Sequence, residues 1–166
     1  MKKLLCTKTL LTLSTALLLG TGSFTSFAQT IVLVRHAEKV DESRDPLLSE
    51  KGMQRAQNLA RVLRDANIEQ VFVTEYQRTQ LTAKPLLDAK QITAAAYVAK
   101  ESLALGEQLR EASKNTLVVG HSNTVNTLLK GLGAGEQKPI AEDEFDRLVI
   151  VHLNKSGAPD VTILRY

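Results

Sequence analysis

Three short apolar runs alternate with helical patterns along this chain, and the alternation limits the folds that the sequence can adopt. The runs cover residues 31–34, 71–73 and 116–119; the first two are bounded by polar residues, and the third begins at Thr116 and ends before Gly120. Continuous apolar runs of this length are typical of strands that are buried on both faces of a parallel sheet. Helices between such strands cover the two faces. The sequence therefore predicts a three-layer α/β/α sandwich with a largely parallel central sheet.

The helices follow from the spacing of the apolar residues. The first is expected to begin after Ser49, a suitable N-cap, and to turn Met53, Ala56, Ala60 and Leu63 towards the sheet. The other expected elements are a helix with Arg78 in its first turn that ends near 87, a β-prone segment over 92–98, helices over 102–113 and 125–130, and a closing strand pair over 147–153 and 161–164.

Residues 1–28 have the pattern of a secretory signal peptide. Lys2 and Lys3 give a positive start, an apolar stretch follows over 10–19, and small residues stand at Ser26 and Ala28. The apolar stretch is too short for a permanent membrane anchor. We expect cleavage after Ala28, which leaves a domain over 29–166 that is exported, most simply to a bacterial periplasm, with no membrane anchor.

The composition of the remaining 138 of the 166 residues limits the partners of this domain. Lys2, Lys3 and Lys8 are the only charged residues of the first 28, so 18 basic residues face 18 acidic ones in the rest. This balance gives no electrostatic reason to expect nucleic acid as a partner. The one cysteine, Cys6, lies in the signal pattern, so disulfide and thiolate chemistry are excluded for the expected domain.

Polar residues that could take part in catalysis or binding follow two of the predicted strands. Arg35 and His36 come directly after the first run, and His121 and Ser122 follow the third one. Ligands of open α/β sheets bind at the carboxyl ends of the strands. A cation beside a potential nucleophile suits an anionic substrate, most simply a phosphate. Arg78 adds a cation at a helix N-terminus, where an anionic ligand would explain it.

Four motifs in this order resemble those of the histidine phosphatase superfamily, branch 1. They are Val34-Arg35-His36, Leu48-Ser49-Glu50-Lys51-Gly52, Tyr76-Gln77-Arg78-Thr79-Gln80-Leu81-Thr82-Ala83 and Val118-Val119-Gly120-His121-Ser122-Asn123. The resemblance implies a phosphoglycerate mutase-like fold and a phosphatase that acts on a small phosphorylated substrate. The departures from the family pattern are Ala37 and Asn123, which stand where glycine is common.

The resemblance also implies roles for the matching residues. His36 would be the nucleophile that takes the phosphoryl group of a phosphomonoester or phosphoramidate, and water would then release phosphate from the phosphohistidine. Arg35, Arg78 and His121 would surround the phosphate, and Asn123 is a further candidate for binding it. Arginine forks match the equatorial oxygens of a transferring phosphoryl group. This chemistry requires no metal ion and no other cofactor.

The general acid that would protonate the leaving group is the least certain part of the pattern. Many members of the family carry an acid between the second arginine and the second histidine. We expect Glu101 in this role, since it precedes a helix in a loop that could face the site; a solvated charge is the alternative. Glu38 and Glu75 stand near strand ends and are further candidates. Some small members lack the acid and act on phosphohistidine or other good leaving groups.

Three other functions remain open from the sequence. A non-catalytic binder of phosphoryl ligands would keep the pocket and lack an effective acid. A metal-binding protein would have to combine His36, His121 and His152 from separate segments, and no pair has metal-motif spacing. A mutase is disfavoured, because the short chain lacks insertions that would close the site from water. We expect His152 to be structural.

Overall fold

The computed structural model describes residues 29–154 and 157–166. The expected signal peptide and its cleavage site lie outside these residues. The elements in chain order are β1 (Gln29–Arg35), α1 (Glu50–Val62), β2 (Gln70–Thr74), α2 (Gln77–Lys90), β3 (Ala94–Tyr97), a 3-10 turn (Ala99–Glu101), α3 (Ser102–Arg110), β4 (Thr116–Gly120), α4 (Ser122–Gly131), β5 (Arg147–Leu153) and β6 (Asp160–Arg165). None of the helices in the described ranges is long and apolar enough to cross a membrane.

The strands form a single six-stranded sheet in the order β3-β2-β4-β1-β5-β6. The pairs β3–β2, β2–β4 and β4–β1 are parallel, whereas β5 pairs antiparallel with β1 and β6 pairs antiparallel with β5. The predicted α/β class with a largely parallel sheet is confirmed, and so is the closing hairpin at the edge.

The side chains of β1 show how the layers form. Ile31 and Leu33 pack against the apolar side of α3 and α4, whereas Val32 and Val34 pack against α1 and α2. All four are at most 3% exposed. A strand whose two faces are both covered by helices needs a continuous apolar run, and this is the pattern that the sequence shows.

The first helix begins as predicted, and of its expected inner face Ala56, Ala60 and Leu63 pack inwards, whereas Met53 does not. Ser49 is its N-cap, and the Ser49 hydroxyl accepts a hydrogen bond from the Gly52 N–H at 3.1 Å. The buried side chains include Ala56 and Leu59, but Met53 is 53% exposed. The prediction for Met53 was therefore wrong, because its position lies at the edge of the apolar stripe.

Two helix boundaries also differ from the expected ones. The helix expected over 102–113 ends at Arg110. The helix expected from residue 125 begins at Ser122, because His121 is its N-cap and the His121 N–H donates to the Thr124 hydroxyl at 2.7 Å. A histidine N-cap is not among the usual signals of a helix start, which are Ser, Thr, Asp and Asn.

Two glycines let α3 and α4 approach each other closely. A Cβ atom on Gly106 would lie 2.6 Å from the carbonyl oxygen of Leu128 and 2.9 Å from the Cα of Gly131. Gly106 weakens α3 as an isolated helix, but its lack of a side chain is required for this contact. Gly133, with a φ of +73°, terminates α4 in the left-handed region as expected.

Gly106→Ala is expected to destabilise the protein. The new methyl group would meet backbone atoms that cannot move aside, which costs about 1–3 kcal/mol and outweighs a gain of about 1 kcal/mol in helix propensity. Urea unfolding measures the difference, with Gln108→Ala at an exposed position of α3 as the control. A Gly106→Ala protein as stable as the wild type would contradict the close contact.

Candidate active site

The parallel pairing of β1 with β4 brings the two motif histidines together. Arg35 lies opposite Gly120 in the register, and the His36 N–H donates to the Gly120 carbonyl oxygen at 2.9 Å. The first residue after β1 and the first residue after β4 are therefore both histidines. The ring centroids of His36 and His121 are 5.3 Å apart, with an angle of 64° between the planes.

The threonines of the third motif connect α2 to the ends of two strands. The Thr82 hydroxyl accepts from the Ala37 N–H at 2.9 Å and donates to the Arg78 carbonyl oxygen at 2.7 Å. The Thr79 hydroxyl accepts from the Thr74 N–H at 3.1 Å, at the end of β2. These bonds fix the N-terminus of α2, and with it Arg78, relative to the residue that follows His36.

The second motif, at the start of α1, makes contacts with the loop that follows His36. The Ser49 N–H donates to the Glu38 carbonyl oxygen at 2.9 Å. The Glu38 carboxylate accepts two hydrogen bonds from Arg55, at 2.8 and 2.9 Å, and lies 3.3 Å from Lys51. Although partial burial of the carboxyl opposes it, the Arg55 hydrogen bonds hold the pKa of Glu38 at about 2. Glu38 is therefore a fixed anion and not a proton donor.

A cavity of about 560 Å³ opens at this edge of the sheet. It collects residues from the first, third and fourth motifs and from the loop before β5. It is lined by Arg35, His36, Lys39, Glu75, Tyr76, Arg78, Val98, Ala99, Lys100, His121, Ser122, Asn123, Thr124 and Glu142. Five of the six residues predicted from the sequence, Arg35, His36, Arg78, His121 and Asn123, thus come together.

His36 is neutral and oriented by its own backbone. It is 4% exposed, and Nδ1 lies 2.8 Å from the Ala37 carbonyl oxygen. Since a carbonyl only accepts, Nδ1 carries the proton and Nε2 keeps a lone pair. Burial lowers the pKa of His36 to about 3, and the charges of Arg35 and Arg78 act in the same direction. The imidazole can therefore act as a nucleophile at neutral pH.

His121 is held by the end of β2. Its Nε2 lies 3.1 Å from the Thr74 hydroxyl, which leaves Nδ1 for another partner. Burial lowers the pKa of His121 to about 4, and Arg78 and Arg35 add to this effect, whereas the carboxylate of Glu75 opposes it. The second histidine is therefore also neutral, and it can serve as a hydrogen-bond partner but not as a charge.

The two arginines supply positive charge beside the histidines, and Lys39 and Lys100 also line the cavity. Arg35 packs over the ring of Phe145 at 4.2 Å, and Arg78 packs over the ring of Tyr76 at 4.3 Å. The Nε atoms of both arginines are buried and have no hydrogen-bond partner among the described residues. Buried donors without partners are costly unless a ligand accepts from them. Two such donors beside two neutral histidines form a site for an oxyanion.

Glu101 does not reach this cavity. It is exposed at the end of the 3-10 turn and borders a separate pocket beside Tyr97 and Gln108. This placement corrects the expectation that the loop before α3 turns Glu101 towards the site, because the turn directs Lys100 there instead. The carboxylates that do line the cavity are Glu75, whose Oε2 accepts from the Ala99 N–H at 3.1 Å, and Glu142.

The hydrogen bonds that the loop over 141–146 makes with Arg35 were not predicted from the sequence. Arg35 Nη1 donates to the carbonyl oxygens of Ala141 and Glu142 at 2.8 and 2.9 Å, and Arg35 Nη2 donates to the Glu142 carboxylate at 2.9 Å. Glu144 fixes the loop through Arg147. A cluster of acidic residues in a loop is typical of a solvated segment, so no signal in the sequence indicated these contacts.

Within residues 29–154 and 157–166, no three His, Cys, Asp or Glu side chains are arranged to hold a metal ion. His152 lies in β5, where its Nδ1 contacts the Thr30 hydroxyl at 3.3 Å across the β1–β5 pair. This contact agrees with the structural role expected for His152.

The fold and the site together describe an α/β protein whose cavity holds two buried histidines beside two arginines. Residues 31–104 match the sequence model of the histidine phosphatase superfamily, branch 1. The match confirms the resemblance that the motifs show over this part of the chain. The comparison with curated proteins gave no match.

Solved structures with the same fold are phosphatases by their descriptions. The protein histidine phosphatase SixA, complexed with tungstate, is 21% identical, and the match covers 82% of this chain and 97% of that one with a TM-score of 0.65. A phosphoserine phosphatase from Entamoeba histolytica has 14% identity, coverages of 83% and 97% and a TM-score of 0.62. A mycobacterial glucosyl-3-phosphoglycerate phosphatase has 14% identity, coverages of 84% and 98% and a TM-score of 0.64.

The histidine charges can be checked by NMR. An ordinary imidazole, with a pKa of about 6.5, is mostly protonated at about pH 5, but the lowered pKa values of His36 and His121 predict that both stay neutral there. A His152→Ala variant leaves only these two histidines, and their ring proton shifts are followed between about pH 8 and about pH 5. A titration of either ring with a midpoint near 6.5 would contradict the buried, neutral state.

Proposed function

We propose that the protein is a metal-independent phosphatase that hydrolyses a phosphomonoester or phosphoramidate through phospho-His36. The observation that carries the proposal is the combination of a neutral His36, with Nδ1 bound to the Ala37 carbonyl oxygen, and the two partnerless Nε donors of Arg35 and Arg78. The proposed nucleophile and the hydrogen-bond donors that would hold the phosphoryl group thus lie in one cavity.

The first half of the reaction is phosphoryl transfer to His36. The Nε2 lone pair attacks phosphorus, the bond to the leaving oxygen or nitrogen breaks, and the leaving group departs with the bonding electrons. Arg35 and Arg78 hold the charge on the equatorial oxygens, and His121 adds a hydrogen-bond partner through Nδ1. Donors fixed before the reaction stabilise the transition state without reorganisation. The two guanidinium groups supply the charge that a metal ion supplies elsewhere.

The second half returns the enzyme to its starting state. Water attacks the phosphorus of phospho-His36, the P–N bond breaks, and His36 recovers its lone pair. Phosphate leaves, and the proton of the water passes to solvent or to the product. The cavity is open to solvent on its outer side, where Lys100 and Asn123 are exposed. Water therefore has access to the phosphoenzyme, which favours hydrolysis over transfer to a second substrate.

The leaving group is expected to be one that needs little help from an acid. Glu75 and Glu142 are the carboxylates that line the cavity, and both already accept hydrogen bonds from groups of the protein. Both carboxylates are thus engaged with the protein rather than with a leaving group. Phosphoramidates and aryl phosphates suit such a site better than alkyl phosphates. SixA, which shares the fold, is described as a protein histidine phosphatase.

We also propose that the chain is exported and acts outside the cytoplasm. The support is the basic start, the apolar stretch and the small residues at Ser26 and Ala28. Expression in a bacterium with two membranes is expected to yield a periplasmic protein whose first residue is Gln29, as measured by N-terminal sequencing. A full-length chain that stays in the cytoplasm would contradict this proposal.

The wild-type protein is expected to hydrolyse an aryl phosphate in the presence of a chelator, and His36→Ala should lose this activity. Removal of a covalent nucleophile lowers kcat on the order of 10³-fold or more. His152→Ala is the matched control, since it removes the same residue type far from the cavity and should retain full activity. Rapid quenching should trap a phosphoenzyme that is stable to alkali and labile to acid, as a phosphohistidine is.

The alternatives predict different results in the same assay. A non-catalytic binder would bind inorganic phosphate without turnover. Activity that survives in His36→Ala would reject the assigned nucleophile, and activity that the chelator abolishes would reject metal independence. An alkyl phosphate hydrolysed as fast as the aryl phosphate would show that a general acid operates after all.

A further inference from the structure

The guanidinium of Arg35 is divided between the protein and the cavity. Its Nη1 is occupied by backbone carbonyl oxygens of the 141–144 loop, at 2.8 Å from Ala141, 2.9 Å from Glu142 and 3.2 Å from Glu144. Nε has no partner within the described ranges. Nη2 is the donor that an oxyanion would use together with Nε in a bidentate contact.

A carboxylate of the protein already holds this shared donor. Glu142 Oε2 accepts from Arg35 Nη2 at 2.9 Å, and Glu142 Oε1 accepts from the Ser122 hydroxyl at 2.9 Å. Ser122 is the first residue of α4, at the helix end that attracts anions. Glu142 thus bridges two donors that line the cavity, one at the end of β1 and the other at the start of α4.

We propose that Glu142 is an internal anion that competes with the phosphoryl group for Arg35 and Ser122 and thereby weakens phosphate binding. This inference rests on the proposed function, since it assumes that phosphate binds beside His36. A phosphoryl group on the Nε–Nη2 edge shares Nη2 with Glu142 and meets the negative charge of the carboxylate. Binding therefore requires Glu142 to move away or to share its donor.

The side chain of Glu142 is free to do so. It is 84% exposed, whereas the Arg35 side chain that it contacts is only 4% exposed. The backbone of the loop stays attached through the Glu142 carbonyl oxygen on Nη1, so the carboxylate can swing out while Arg35 keeps its place. A competing anion of this kind lowers product inhibition, because inorganic phosphate has to displace it as well.

Glu142→Gln is expected to bind inorganic phosphate about fivefold more tightly than the wild type, because the amide keeps the shape of the side chain and removes its charge. Isothermal titration with inorganic phosphate measures the Kd. The matched control is Glu107→Gln, which removes one charge from an exposed residue of α3, outside the cavity lining, and should change the Kd by less than about twofold. Glu142→Ala provides a second variant, and thermal melting verifies that all three remain folded.

The salt dependence separates competition from a structural effect. The gain in Glu142→Gln should shrink between about 0.05 M and about 0.5 M salt, because screening weakens the charge that was removed. A Kd that is unchanged or higher in both Glu142 variants would overturn the inference, since it would mean that Glu142 holds Arg35 in place for phosphate. Variants that bind no phosphate at all would overturn it as well.

The two proposals can fail separately. Tighter phosphate binding in Glu142→Gln, together with no turnover in any variant, supports the competing anion and rejects the phosphatase. Turnover that depends on His36, together with an unchanged Kd, supports the phosphatase and rejects the competing anion.

Discussion

The pairing of β1 with β4 is the constraint on which the site depends. The two strands are parallel, and they end at the same level because Arg35 lies opposite Gly120. The residues that follow them therefore meet at one edge of the sheet. His36 and His121 are far apart in the chain but become neighbours through five backbone pairs. A one-residue slip in this pairing would turn every side chain of β1 towards the opposite helix layer and would separate the histidines.

The remaining contacts keep the charge of the site in place. Buried guanidinium groups are expensive, and the chain supports Arg35 with carbonyl oxygens, a carboxylate and the ring of Phe145. Carbonyl partners neutralise little charge, so the guanidinium remains a cation that a ligand can use. The same charge helps to keep His36 unprotonated. Positive charge near the nucleophile thus serves two purposes, since it attracts the substrate and preserves the lone pair that attacks it.

The sequence was sufficient for the parts of the structure that local patterns determine. The apolar run of β1 predicted a strand covered on both faces, and Ser49 predicted the start of α1. Arg35, His36 and Arg78 were found because a motif keeps functional residues at fixed distances from strand and helix ends. Met53 was misplaced, because helical spacing alone does not define how wide the buried stripe is.

The loop over 141–146 could not be predicted in the same way. Its position depends on hydrogen bonds between its backbone and Arg35, a residue more than one hundred positions away, and such contacts leave no periodic pattern. Glu142 therefore resembled a solvated charge in the sequence, as did its neighbours. The start of α4 was missed for a related reason, since His121 acts as the N-cap and that role depends on the strand that precedes it.

The two sides of the cavity differ in how rigidly their side chains are held. On the phosphoryl side, Arg35, His36 and His121 are at most 9% exposed. Arg35 donates to the Ala141 carbonyl oxygen, His36 to the Ala37 carbonyl oxygen, and His121 contacts the Thr74 hydroxyl. On the outer side, Lys100 and Asn123 are exposed. Preorganised groups discriminate between ligands more strongly than mobile, solvated ones. If the site binds a phosphoryl group as proposed, this difference would select for that group and impose little on the rest of the substrate.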